Sequence, residues 1–176
     1  MLAPDLVAAL VASPTRAEQL AEARRVGIVD DDGLTSLLAA ADELLRSDPT
    51  ASRQLAELCS ELAERASLPA IHYRALYLLA QVHSTIGQHE RARDLIKTAR
   101  AGLTSVGLHL DALRTNVGLM HVLNQLGRHE EALAAGRRVL EALAADRKLA
   151  ATPESQQLVG MVEQNRAVCF ERLGRY

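Results

Sequence analysis

Aromatic residues are nearly absent from this chain: Tyr73, Tyr77, Phe170 and Tyr176 make up 2% of it, and there is no Trp. It therefore lacks the stacking platforms on which proteins hold single-stranded nucleic acid. Cysteine is scarce too, with Cys59 and Cys169 far apart and each inside an apolar stretch. They read as two small buried hydrophobes in a reducing compartment rather than as a bridge. No run approaches the roughly 18 consecutive apolar residues that a membrane span needs. The apolar stretch 6–12 follows Asp5 and has no cation upstream, so it does not read as a secretory signal. Neither sign of charge dominates: 20 Lys and Arg face 22 Asp and Glu, interleaved along the chain. That is a solvated surface, and it argues against nucleic-acid or membrane partners and for a soluble cytoplasmic protein.

Catalytic signatures are missing as well. There is no G-x-S-x-G, no cysteine with a histidine in a recognisable catalytic context, and no glycine loop able to cradle phosphate. The six histidines, His72, His83, His89, His109, His121 and His129, form no i,i+4 pair with an acidic or thiol neighbour, so no metal site is expected. Asp30-Asp31-Asp32-Gly33 begins like a calcium loop, but Leu34 and Ser36 fall where further ligands are due. A turn capping the next helix fits it better. The expectation is a protein that is not an enzyme and carries no cofactor.

What is present is Ala, Leu and helical periodicity. Hydrophobic residues make up 48% of the 176, enough for a core without metal or disulfide support. Pro and Gly fall where one helical pattern stops and the next begins, with Ser13, Asp48 and Thr152 before prolines as candidate caps. The pattern predicts an all-α chain of about nine helices, over 4–12, 14–26, 32–47, 50–66, 69–86, 88–104, 108–126, 128–146 and 153–173, with no strand. Connections of about two residues force neighbouring helices to lie antiparallel.

An internal repeat decides the fold. Gly87-Gln88-His89-Glu90-Arg91-Ala92 matches Gly127-Arg128-His129-Glu130-Glu131-Ala132, and Gly174-Arg175-Tyr176 opens a third copy, at intervals of 40 and 47 residues. Gly ends one helix with positive φ, and Ala92 and Ala132 sit where two helices cross and only a methyl group fits. Ala99 and Val139 take the next small position seven residues on, while Ala56 and Ala63 keep the same interval in a weaker unit over 34–66.

These turns and alanines resemble tetratricopeptide repeats. The resemblance covers about 75–146 best, extends over 153–176 and fades before residue 70. Leu76 and Asn116 depart from it, standing where the family most often has a large aromatic, and the period is longer than usual. It implies a right-handed superhelical solenoid of antiparallel helix pairs, divided into a lead-in with a degenerate repeat (1–68) and repeats proper (69–176), the last of them cut short. A half repeat leaves an apolar face uncovered, which suggests the leading part of a longer protein and a route to homo-oligomers. The Arg74-Ala75-Leu76 helix and the Leu-Gly-Arg turns resemble bacterial signalling proteins that join such repeats to a caspase-like CHAT domain.

The family's architecture implies that first helices line a concave groove, here through Arg74, Tyr77, Gln81 and Ser84, then Arg114, His121, Asn124 and Gln125, with Gln164, Asn165 and Arg172 beyond. Donors with a few cations suit a peptide carrying carboxylates or free carbonyls. Tyr77 and Gln81 stand where the chaperone-binding members carry Lys and Asn, which argues against that role. Arg137-Arg138 and Arg147-Lys148 read as a solvated outer face. The function expected is a protein- or peptide-binding module, with a structural or oligomerisation scaffold for an attached effector enzyme as the alternative.

Overall fold

The structure is a computed structural model that describes residues 2–175. The aromatic that would open the third repeat copy, Tyr176, lies outside them. Ten helices and no strand occur among the described residues: α1 (Pro4–Ala12), α2 (Arg16–Arg25), α3 (Asp31–Leu44), α4 (Pro49–Arg65), α5 (Pro69–Thr85), α6 (His89–Ser105), α7 (His109–Gln125), α8 (His129–Ala145), α9 (Arg147–Ala150) and α10 (Pro153–Arg172).

The one helix beyond the expected nine is α9. It forms because the Asp146 carboxylate accepts from Lys148 and Leu149 N–H, a cap that starts a single turn. A second departure concerns Ser13 and Pro14, which do not begin α2. Ser13 Oγ donates back to the Ala9 carbonyl and closes α1, while Thr15 and Glu18 form a reciprocal capping box that opens α2. Asp48 and Thr152 cap α4 and α10, and Asp30 accepts from Gly33 N–H at the start of α3.

From α4 to α8 the chain runs on a strict module. Each of these five helices is 17 residues long, and three-residue turns join them. The residue in the left-handed region recurs every 20 positions, at Ser67, Gly87, Gly107 and Gly127. Around it the turn closes with a long bond back to the helix just ended: Leu68 N–H to Ala63 C=O, Leu108 to Leu103 and Arg128 to Leu123, at 2.8–2.9 Å. This is the Schellman closure, and it turns the chain back on itself within three residues.

Helices two apart therefore share a register of 40 residues, with α4, α6 and α8 starting at Pro49, His89 and His129. In that register the partners of Ala92 and Ala132 are Ser52, and those of Ala99 and Val139 are Cys59. All six have 0% exposure. Ala56 and Ala63, expected to be the equivalents, are also buried but correspond in this register to Ile96 and Leu103 instead. The 47-residue spacing to Gly174 arises because the connection from α8 to α10 is longer than three residues and holds α9, and because α10 itself runs to 20 residues.

The chain forms two compact units, one ending at Gly87 and the other beginning at Gln88. In the first, α4 packs against both α3 and α5, α3 also reaches α5, and α1 and α2 lie on α4. Leu34, Leu37, Leu55, Leu58 and Ile71 fill its core. Arg16 ties α2 down, donating to the Gln54 carbonyl at 3.1 Å and to Glu57 at 2.9 Å. In the second unit α7 lies between α6 and α8, and α10 packs on α8 and α7. Within each unit, then, consecutive long helices pack antiparallel, and α3 with α5 and α7 with α10 also meet across the helix between them. That is the contact pattern of stacked two-helix hairpins.

Candidate functional site

On α7 the polar residues form a stripe. Ala112, Thr115, Asn116, Val117, Leu119, Met120, Val122 and Leu123 are buried, leaving Arg114, His121 and Gln125 exposed along the opposite side with Gly118 between them. Spacings of seven and four residues keep these three on one face of the helix. They therefore form an open polar strip about 16 Å long, at 1.5 Å per residue.

His121 is held toward its neutral form. Partial burial lowers its pKa, and His89 nearby lowers it further. The imidazole can thus accept a hydrogen bond as well as donate one.

Asn124 is placed differently from its neighbours. Its side-chain oxygen meets His129 Nδ1 at 3.0 Å and accepts from Cys169 Sγ at 3.1 Å. The residue joins α7 to the start of α8 and to α10, so its carbonyl is engaged inside the unit. On α10, Gln164 and Arg172 are exposed, while Asn165 folds back to donate to the Met161 carbonyl. In the first unit, α5 presents Arg74 exposed and Tyr77, Gln81 and Ser84 half-buried. Gly87, Gly127 and Gly174 all adopt positive φ, and Ala92, Ala99 and Ala132 are fully buried.

A second feature was not anticipated. Between α6 and α8 a cleft of about 160 Å³ opens over α7. Arg93, Lys97 and Arg100 line one wall at i, i+4 and i+7 on α6. Arg128, Glu131, Ala134 and Arg138 form the other, with Leu119 and Leu123 as the floor. Arg138, expected on a solvated face beside Arg137, is exposed and at the same time lines this cleft. The structure turns Arg138 toward α6, and its charge disfavours the protonated form of Arg100, which burial disfavours more strongly. The stripe of cations on α6 was the available signal, but only its pairing with α8 makes it a concave feature.

No protein-family profile and no curated protein matches this chain.

Proposed function

We propose that the chain is a non-catalytic binding module of the tetratricopeptide type, which holds a protein or peptide against the open polar face of α7. The observation that carries this reading is the Arg114, His121 and Gln125 strip, three exposed donors aligned on one side of a helix whose other side is buried against its neighbours. A helix fixed on three sides by α6, α8 and α10 loses little freedom when a ligand docks, so most of the contact energy appears as affinity. Free buried thiols suit a cytoplasmic setting, and the module is read as part of a larger bacterial signalling protein.

The test is selection of binders from a random peptide display library on the immobilised chain. Enriched peptides should lose affinity for a His121→Ala/Gln125→Ala variant. Failure to enrich any sequence, or equal binding to the variant, overturns the proposal.

One observation favours the alternative of a scaffold that assembles an attached effector, such as a caspase-like domain. On α10, Val159, Met161 and Val168 are 36%, 40% and 39% exposed. Multi-angle light scattering separates the readings: a concentration-dependent oligomer abolished by Met161→Glu supports the scaffold, and a monomer at all concentrations supports the binding module.

A further inference from the structure

The cleft between α6 and α8 is a second site, independent of the α7 face, and its charges are unequally compensated along its length. At the end nearer the helix N-termini, Arg93 pairs with Glu90 and Asp94, and Arg128 pairs with Glu131 through two bonds of 2.6 and 2.7 Å. Toward the other end the acids stop. Arg100 donates to the Asn116 side-chain oxygen at 2.8 Å, a neutral acceptor. Among the described residues no carboxylate lies within ion-pair distance of Lys97 or Arg138, both of which are exposed. Lys97 thus shares Glu131 with Arg128 and Arg93 at longer range, while Arg100 and Arg138 repel each other with no carboxylate paired to either among the described residues.

We propose that this cleft binds an acidic peptide segment of a partner protein, in which an aliphatic residue is flanked by carboxylates. The flanking carboxylates would meet Lys97, Arg100 and Arg138, and the aliphatic group would lie on Leu119 and Leu123 beside Ala134. From Arg93 to Arg100 the wall spans about 10 Å, the reach of about three extended residues. Guanidinium groups match carboxylates in bidentate geometry, and like charges already held together lose repulsion when an anion enters between them. The apolar floor favours a peptide over a bare inorganic anion, which could not cover it. Without aromatic side chains in its lining, the cleft offers bases nothing to stack on.

Fluorescence anisotropy of the full chain with a short fluorescein-labelled peptide of alternating glutamate and leucine tests this. Saturable binding is expected, weakening as salt rises and falling about tenfold or more in Lys97→Glu/Arg138→Glu. A glutamine and leucine control peptide should not bind. His121→Ala/Gln125→Ala should bind the acidic peptide as the wild type does, so failure of the α7 reading leaves this one standing. Circular dichroism melts check the folding of the charge-reversed protein, and if it is unfolded Arg138→Gln alone takes its place. Absence of saturable binding, equal affinity in the variant, equal affinity for the neutral peptide, or displacement by pyrophosphate or a single-stranded oligonucleotide at lower concentration than by unlabelled peptide would each overturn the proposal.

Discussion

Gly136 on α8 and Met120 on α7 touch so closely that a Cβ on the glycine would lie 2.7 Å from Met120 Cε and 3.2 Å from Val162 Cγ1 of α10. Three helices converge on this point. The absent side chain lets α8 approach both neighbours.

Substitution at Gly136 should grade with size. Gly136→Ala gains about 1 kcal/mol of helix propensity, which offsets the displacement of the flexible end of Met120, so stability stays within about 1 kcal/mol of wild type. Gly136→Leu has no such escape against Val162 and should cost about 1–3 kcal/mol, read as a lower urea midpoint with unchanged slope.

Opposite signs are expected at two turns of identical geometry. Ser67 has a φ of 57° and bears the strain of a side chain in the left-handed region. Ser67→Gly should stabilise by about 0.5–1 kcal/mol, the relief of strain exceeding the entropy glycine adds to the unfolded chain. Gly127 has a φ of 71° and open space around it, so Gly127→Ala meets no clash yet should cost about 1–2 kcal/mol through backbone strain alone. Thermal melts of the two variants should move in opposite directions.

Acidification should weaken the fold through His121. Its folded pKa lies below the ordinary value of about 6.5, first because of burial and then because of His89. Between the two values the unfolded chain binds more protons, so stability falls as pH drops through about 6.5 and levels off below the folded value. His121→Gln should flatten this step, measured as the difference in melting temperature between about pH 7.5 and about pH 5.5.

The thiols should be silent until the chain unfolds. Burial pushes Cys59 up to about 12, and its Sγ donates to the Leu34 carbonyl at 3.4 Å. Cys169 is buried against Asn124. Ellman's reagent should react with neither in buffer and with both in denaturant. Cys59→Ala should be tolerated, costing no more than about 1–2 kcal/mol, because Ala99 fills the equivalent position one register on.

Helix content and turns were legible because Gly, Pro and capping Asp or Thr act over a few residues. Gly87 and Gly127 announced themselves through matching neighbours, and helix ends came out within a few positions of the structure. The half-period at Ser67 was hidden, since serine gives no hint of positive φ, whereas Gly107, His109 and Ala112 repeat the Gly, His and Ala of the copies at 87 and 127, a signal that the sequence did carry. The register of α4 was misjudged for a related reason: Ser52 and Cys59 do not look like Ala92 and Ala99, although a hydroxyl and a thiol fit the same small spaces. The α7 strip was visible as polar residues at helical spacing. That Asn124 faces inward and Arg138 faces α6 depends on rotations of a few tens of degrees about a helix axis, which composition does not encode.

The 20-residue module also dictates how this chain can change in length. Adding or removing one residue within any of α4 to α8 would turn every later side chain of that helix by about 100° and carry its buried small residues toward water. Only whole hairpins can be gained or lost there without penalty. The stretch between α8 and α10 is under no such constraint, since it already departs from the three-residue turn and its Arg147 and Lys148 are exposed. Tags, cleavage sites or whole inserted domains belong at that connection, where the chain keeps slack and its neighbours keep their phase.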